Sequence, residues 1–196
     1  MNLLNRCLHP LLLVLLAPCI VLAAPAVRIT TELGVLEAEL HADQAPATVA
    51  NFLKYVDAGR YTGGVFHRTV KLQPDNQPNN AVKIEVIQGG VNPEHAEKDW
   101  PALALERTRD TGLKHLDGTL SMARAGPDTA TSDFFICLGA QPELDFGGQR
   151  NPDGQGFAAF GRVTKGLDIV KKIQTAPADG QKLTPPVRIL KIERLP

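Results

Sequence analysis

Two short stretches, Val65-Phe66-His67-Arg68 and Val86-Ile87-Gln88-Gly89-Gly90, decide the fold and contain the first candidate functional residues. Each opens with apolar or alternating residues, a pattern typical of a β-strand. Each also places one long polar side chain where its strand would end. These side chains are Arg68 and Gln88, so both are candidates for a functional site.

A third stretch, Gly118 to Leu138, is expected to face the first two. It contains two apolar runs, the first ending near Ala123 and the second built around Phe134-Phe135, separated by the polar turn Gly126-Pro127-Asp128-Thr129. Two strands joined by this turn would set the Ala123 backbone and one Phe ring beside the same concavity. An arginine, an amide and an aromatic floor predict a small, half-polar pocket.

The three stretches, in this order, resemble the cyclophilin-type peptidyl-prolyl cis-trans isomerases, whose pattern has Phe-His-Arg, then Gln-Gly-Gly, then Gly-x-Leu-Ser-Met-Ala and Ser-x-Phe-Phe-Ile. The similarity runs from about Val27 to Leu195 and includes the segment from Arg109 to Gly118 and Phe160-Gly161-Arg162-Val163. The resemblance implies a mainly β fold, a closed eight-stranded antiparallel cyclophilin-like β-barrel with two capping helices. It also implies catalysis of X-Pro isomerisation without a cofactor.

The resemblance assigns roles within the pocket. Arg68 is the expected catalytic residue and Phe135 the expected floor for a proline ring. The other residues expected to contact substrate are Phe66, His67, Val86, Gln88, Ala123, Arg124, Asp133, Leu144 and Phe157. An arginine at a strand end is often only a surface ion-pair partner, but its setting beside Gln88 favours catalysis. His67 is expected to pack as a structural histidine, because bond rotation moves no proton.

Three acidic residues depart from the family pattern. Glu85 and Glu143 stand where aromatic residues are common, and Asp133 stands where Gln is common. These differences predict a more acidic pocket that favours chains with Lys or Arg near the proline. They also support an alternative function, a non-catalytic chaperone module that binds proline-containing chains on the same barrel. The segment Lys71 to Asn80 is longer than the usual family link, and its polar composition predicts an exposed loop with no means of burying itself.

Residues 1–26 have the layout of a secretory signal peptide. An apolar run from Leu11 to Leu22 is followed by small residues, which predicts cleavage near Ala23 or Ala26. The run is shorter than the roughly twenty apolar residues that span a bilayer, so no stable membrane insertion is expected. We therefore expect an exported protein, periplasmic in a bacterium with two membranes, with residues 27–196 forming one isomerase domain.

The composition restricts the remaining possibilities. Lys and Arg number 21 and Asp and Glu also number 21, so no basic field supports nucleic-acid binding. A lipid anchor at Cys19 is disfavoured by the preceding Pro18. Cys137 would be the only cysteine left after cleavage, and its apolar strand predicts a buried packing residue. The expected partners are unfolded or proline-containing polypeptides, bound by a monomer.

A hydrolase and a metal site have little support in the pattern. Ser121 and Ser132-Asp133 lack the surroundings of a nucleophile elbow. The histidines at positions 41, 67, 95 and 115 lack the spacing of a metal site.

Periodicity predicts several further elements. They are a hairpin over Val27–Leu40, a helix from Pro46 to Gly59, a strand at Phe157–Val163, a helix at Leu167–Ile173 and a closing strand at Val187–Leu195.

Overall fold

The computed structural model describes residues 24–96 and 99–196. Within them, the strands are β1 (Ala26–Thr31), β2 (Gly34–Leu40), β3 (Val65–Val70), β4 (Val86–Gly90), β5 (Thr119–Met122), β6 (Phe134–Cys137), β7 (Ala159–Lys165), β8 (Ala178–Asp179) and β9 (Lys182–Arg194). The helices are α1 (Pro46–Asp57), α2 (Pro93–Ala96), α3 (Thr108–Thr111) and α4 (Leu167–Gln174), and Pro142–Leu144 form a 3₁₀ turn. The predicted signal peptide falls almost entirely outside the described residues.

The strands form a closed antiparallel barrel. Their order is β1-β2-β7-β5-β6-β4-β3-β9, and pairing between β9 and β1 closes the ring. The two-residue strand β8 pairs only with the start of β9. The predicted eight-stranded barrel is therefore confirmed, with β8 as a short addition. Closure leaves none of the eight strands as an open edge.

Two amphipathic helices cover the barrel, as predicted. Pro46 stands at the start of α1, where its missing N–H costs nothing. The buried face of α1 includes Phe52, whose ring lies 5.1–5.5 Å from the rings of Tyr61, Phe134 and Phe160 inside the barrel. Helix α4 buries Val170 and Ile173 completely. The four-residue helices α2 and α3 are additions that the irregular sequence pattern did not predict.

Alternation along β4 and β6 separates the barrel interior from its outer face. Ile87 and Phe134 belong to the main core inside the barrel. Their neighbours Val86 and Phe135 belong to a second apolar cluster, with Val70, Ile84, Cys137 and Leu144, on the other face of the same strands. Because successive side chains of a strand point to opposite faces, one run of apolar residues builds both clusters. The second cluster is the base of the candidate site.

A β-bulge in β3 aims Arg68 outward. Phe66 pairs with Gly89 and Arg68 pairs with Gln88, so His67 is an extra residue without a partner of its own in the ladder. Without the bulge, Phe66 and Arg68 would point to the same face. With it, Phe66 enters the core and Arg68 lines the outer cavity.

Two segments differ from their predicted form. The loop over Lys71–Asn80 is not wholly exposed, because Gln77 is completely buried and bonds to the backbone of Lys71 and Ile84. Strand β9 begins at Lys182, five residues before the predicted Val187. Pro185 and Pro186 concealed this extension, since proline is rare inside strands.

The other element boundaries are close to prediction. The hairpin of β1 and β2 turns at Glu32-Leu33, directly before Gly34, and β7 begins two residues after the predicted Phe157. Among residues 24–96 and 99–196, no helix has the length and apolar character needed to cross a bilayer.

Candidate active site

A cavity of about 780 Å³ opens on the outer face of the barrel, along β4. Its size lies in the range that holds small ligands and peptide side chains. The lining includes every predicted site residue except Phe66, namely His67, Arg68, Val86, Gln88, Ala123, Arg124, Asp133, Phe135, Leu144 and Phe157. The geometry thus brings these residues together, while their individual roles stay predictions.

Phe66 was predicted to contact substrate, and this placement is wrong. Its side chain is 0% exposed and packs edge-on against Phe134 inside the barrel. The β-bulge at His67 explains the error, because it makes the side chains of Phe66 and Arg68 point to opposite faces of the sheet.

Arg68 is fixed by two side-chain amides. Its Nε and Nη2 donate to Gln181 Oε1 at 2.9 and 2.7 Å, and its Nη1 donates to Gln88 Oε1 at 3.0 Å. A guanidinium has five N–H donors, so two remain without a partner among the described residues. Burial lowers the pKa of Arg68 from its usual value, yet an arginine remains charged at any physiological pH. The site therefore offers a rigid cation with donors to spare.

An apolar slot lies beside this cation. Phe135, Leu144 and Val86 are each nearly buried, and Phe157 packs against Phe135 at 5.4 Å in an edge-to-face arrangement. Ala123 packs against the same cluster at the end of β5. A proline ring that enters this slot contacts apolar side chains, and its burial is favourable because apolar surface is removed from water.

Asp133 occupies the other end of β4. Its Oδ2 accepts a hydrogen bond from Gln88 Nε2 at 3.1 Å and lies 3.7 Å from His67 Nε2. Burial raises the pKa of Asp133, and the nearby His67 and Gln88 only partly offset this effect. A side chain on Gly90 would collide with this carboxylate, which explains the need for glycine there. The side chain of His67 is 39% exposed and lines the cavity, so it is not a buried packing residue, while the prediction that it moves no proton stays a prediction.

Arg124 reaches the site mainly through its backbone. Its side chain is only 1% exposed and donates to Asp153 Oδ2 and Oδ1 at 2.7 and 2.9 Å. It also donates to the Gly156 carbonyl and covers the Phe157 ring at 4.9 Å. These hydrogen bonds lower the pKa of Asp153 to about 2. The guanidinium thus fixes the loop that carries Phe157.

Two of the three acidic departures do not face the cavity. Glu85 accepts from Gln174 Nε2 at 3.3 Å, and Glu143 accepts from the Gln149 backbone at 2.8 Å. Neither residue lines the cavity. The expectation that Glu85 and Glu143 make the pocket acidic is therefore wrong, and only Asp133 of the three lines it. Each carboxylate instead meets donors of a neighbouring loop or helix.

A buried polar chain lies directly beneath the apolar floor. The His115 ring stacks on Phe135 with centroids 5.9 Å apart. Its Nδ1 lies 2.8 Å from Asp145 Oδ1, and its Nε2 lies 2.9 Å from Ser121 Oγ. This arrangement has the order of a hydrolytic triad, but Ser121 is 0% exposed and no substrate can reach it. The chain supports Phe135 and is not a nucleophilic centre.

Asp145 is held in its charged form by this chain. Burial alone would raise the pKa of Asp145, but hydrogen bonds from His115 and the charge of Lys114 outweigh it and lower the pKa. Ser121 and His115 were considered only as hydrolase and metal residues in the sequence. The sequence did not predict the contacts that join Ser121, His115 and Asp145, because Asp145 lies in a loop-like segment far from the other two along the chain.

Sequence reasoning also missed Gln181 and Arg150. Gln181 lies in the tight turn between β8 and β9, where a lone glutamine in a Gly-Gln dipeptide gives no functional signal. Arg150 enters the cavity from the segment between Glu143 and Phe157. Both depend on contacts between segments far apart in the chain, which no local pattern records.

The described residues contain no cluster of three His, Cys, Asp or Glu side chains suited to a metal ion. Cys137 is a free, fully buried thiol in the outer apolar cluster, and burial raises its pKa far above the usual range. The prediction of a packing cysteine is confirmed. The cavity thus combines Arg68 held by two glutamines, the two unpaired N–H donors of Arg68 and an apolar slot.

Comparison with known proteins agrees with this geometry. The family model described as "Cyclophilin type peptidyl-prolyl cis-trans isomerase/CLD" matches residues 26–194. A peptidyl-prolyl cis-trans isomerase of Acinetobacter baylyi is 36% identical over 157 residues, which cover 80% of this chain and 75% of the relative. The isomerase cyp18 of Streptomyces antibioticus is 34% identical over 163 residues, covering 81% and 90%.

A solved structure extends the comparison to the fold. A cyclophilin-type peptidyl-prolyl cis-trans isomerase of Cryptosporidium parvum has a TM-score of 0.70 and 27% identity, covering 88% of this chain and 98% of its own. The same protein was also solved in the presence of the dipeptide Ala-Pro, with a TM-score of 0.69. From the barrel, the cavity and these similarities together, the chain belongs to the cyclophilin-type peptidyl-prolyl cis-trans isomerases.

Proposed function

We propose that this peptidyl-prolyl isomerase is exported and accelerates X-Pro isomerisation during the folding of other exported proteins, in the periplasm of a bacterium with two membranes. The observation that carries the catalytic part is the fixed guanidinium of Arg68, whose unpaired N–H donors border an apolar slot. The leader-like residues 1–26 support the export part.

The chemistry requires weaker amide resonance and no bond cleavage. The C–N barrier of about 18–20 kcal/mol arises because the nitrogen lone pair is shared with the carbonyl. As the bond twists, that pair becomes localised on the prolyl nitrogen. A donor placed over this nitrogen stabilises the twisted state more than either planar isomer. Arg68 is suited to this role, because it lines the cavity and its contacts with the two amides leave two N–H donors unpaired among the described residues.

The amide partners also limit what Arg68 must do during the reaction. Gln88 and Gln181 are neutral acceptors, so they hold the guanidinium without cancelling its charge. Because the group is fixed before the substrate enters, no reorganisation is needed as the bond rotates. A millionfold acceleration corresponds to about 8 kcal/mol. Arg68, the grip on the proline and exclusion of water would share that amount.

The apolar slot would hold the proline ring while the preceding carbonyl turns. Phe135 is the proposed floor, and Val86, Leu144 and Phe157 are the proposed walls. A relative of the same fold, solved in the presence of Ala-Pro, supports a short proline peptide as the ligand class. The peptide flanking the proline would lie along β4 and over Ala123 and Arg124. The proposed clients are unfolded chains that a monomer binds one at a time.

The test compares the native chain with Arg68→Ala, after circular dichroism has shown both to be folded. We expect the native protein to accelerate cis-to-trans exchange of an X-Pro peptide and the variant to lose at least about a hundredfold of that rate. Arg28→Ala is the matched control, since Arg28 pairs with Glu37 away from the cavity. Its rate should equal that of the native chain.

The same experiment decides between the isomerase and the chaperone module. If folded native protein binds the peptide but leaves its exchange rate unchanged, the binding module is the correct function. The turning of Glu85 and Glu143 away from the cavity removes much of the support for that alternative. Export is tested separately, by fractionating cells that express the full chain. Protein that keeps its first 23 residues and stays in the cytoplasm would refute the proposed location.

A further inference from the structure

Arg150 is a second cation in the same cavity as Arg68. Its Nη1 donates to the Val82 carbonyl at 2.6 Å and to Gln77 Oε1 at 3.1 Å. Gln77 is itself buried and tied to the Lys71 and Ile84 backbone, so the extra length between β3 and β4 forms a rigid support. Arg150 is therefore placed by a dedicated set of contacts.

The guanidinium of Arg150 keeps most of its donors. Both of its side-chain hydrogen bonds come from Nη1, so Nε and Nη2 have no acceptor among residues 24–96 and 99–196. A residue that served only to clamp Gln77 and Val82 would not need a cavity-facing position. Three unused N–H groups, one on Nε and two on Nη2, match the fork that binds a carboxylate.

The charges of the cavity favour an anionic ligand at this end. Arg124, Arg188 and Arg194 each pair with a carboxylate. Arg68 and Arg150 have only neutral acceptors among the described residues. Burial lowers the pKa of Arg150, and the charge of Arg68 lowers it further. The carboxylates that line the cavity, Asp99 and Asp133, accept no hydrogen bond from either arginine, so a carboxylate that enters beside Arg68 and Arg150 is attracted by both charges.

The cavity is polarised along β4. Arg150 is tied through Gln77 to Ile84, just before β4 begins, whereas Asp133 packs against Gly90 at the strand's end. The sequence had predicted an acidic pocket that prefers Lys or Arg near the proline. Of the three acidic residues behind that prediction only Asp133 lines the cavity, and the opposite end carries positive charge.

We infer that Arg150 is a specificity residue, which gives the isomerase a preference for peptides with a carboxylate side chain next to the proline. This inference rests on the isomerase function. Arg150 binds the flanking side chain through its free Nε and Nη2 donors, while Arg68 remains over the prolyl nitrogen. Partial exposure limits the gain to about two- to fivefold in kcat/KM at low salt.

The experiment measures exchange rates for matched peptides that carry Glu, Gln or Lys directly before or directly after the proline. The expected order at one of the two positions is Glu, then Gln, then Lys, and the difference should shrink as salt is raised. In Arg150→Gln, the ratio of Glu to Gln turnover should fall to about one. Arg150→Lys should keep a ratio above one, and Arg28→Gln, a charge-matched control away from the cavity, should keep the native ratio.

The outcomes separate this inference from the isomerase function itself. Turnover of the Gln peptide by the native chain establishes isomerisation without reference to Arg150. Equal Glu and Gln rates in the native chain, or a ratio that Arg150→Gln leaves unchanged, would overturn the inference. Should that variant fail to fold, nuclear magnetic resonance on the native chain replaces it. The Arg150 Nε–H signal must then shift more with the Glu peptide than with the Gln peptide, and equal shifts would refute the assignment.

Discussion

Gln181 Oε1 accepts two hydrogen bonds from Arg68, one from Nε at 2.9 Å and one from Nη2 at 2.7 Å. The same turn residue accepts from the Thr69 backbone and donates from Nε2 to the Asn76 carbonyl. A single glutamine thus joins Arg68, the proposed catalytic residue, to the β8–β9 turn and to the loop after β3. The orientation of Arg68 depends on a residue that does not line the cavity.

Gln181→Ala should reduce kcat about tenfold and change KM little. The variant removes two of the three bonds that fix the guanidinium, so Arg68 loses orientation while the proline slot remains intact. Steady-state exchange measurements on an X-Pro peptide separate the two constants. Gln44→Ala, which removes an exposed glutamine bonded to the Thr111 carbonyl, is the control. A fall in Tm with unchanged kcat would show that Gln181 has only a structural role.

Ser121→Ala should lower the free energy of unfolding by about 1–3 kcal/mol, because it leaves the buried Nε2 of His115 without its partner. Urea unfolding measures the loss. Thr164→Ala is a suitable control, since its hydroxyl bonds to the Glu37 carbonyl in an exposed position. If the free energy of unfolding falls by the same small amount in both variants, the hydrogen bonds of His115 contribute no more to stability than an exposed hydrogen bond does.

Asp145→Asn should destabilise the protein by about 1–2 kcal/mol at neutral pH, because a charged acceptor for His115 becomes neutral. The pKa of Asp145 is lowered in the folded state. Its contribution to stability is therefore complete above the unfolded pKa of about 3.9 and is lost as pH falls through the folded pKa.

The difference in unfolding free energy between native chain and Asp145→Asn should accordingly be constant from pH 7 to about pH 5 and shrink below about pH 4. Taking the difference cancels the other acidic groups with lowered pKa values, such as Asp153. A difference that grows on acidification would contradict this assignment of the charge on Asp145.

The mature chain should begin at Ala24, after cleavage at Ala23, and not after Ala26. Ala26 is the first residue of β1, and its carbonyl accepts from the Leu195 backbone at 2.8 Å. The Pro25 carbonyl accepts from the Leu40 backbone at 2.7 Å. Cleavage after Ala26 would remove both bonds from the closure of the barrel. Mass spectrometry of the protein purified from cells that express the full chain distinguishes the two products.

Local sequence patterns were sufficient for most of the fold. Helix α1 follows directly from Pro46 and the spacing of Val49, Phe52 and Val56, and β3 begins at Val65 and contains the stretch predicted as a strand. Local patterns gave wrong predictions where the position of a residue depends on contacts with segments far away in the chain. The bulge at His67 depends on pairing with β4, and it reversed the predicted facing of Phe66.

The candidate site shows the same division. Arg68, Gln88 and Phe135 come from strands whose motifs are legible in sequence, and the structure brings them to one cavity. Gln181 and Arg150 come from turns, whose side-chain directions depend on the segments that they contact. Turn residues carry no periodic signal, so no reading of local pattern could place either one beside Arg68.

The pairing of β1 with β9 has a consequence for synthesis of the chain. Val27 lies opposite Arg194, so the first and last strands are adjacent in the barrel. A ribosome delivers β1 long before β9, and until β9 arrives both β1 and β3 keep an unpaired edge. The barrel therefore cannot close while its C-terminal strand is still inside a ribosome or a translocation channel. A chain of this topology gains its closed barrel, and the cavity that the barrel supports, only after its last strand has been released.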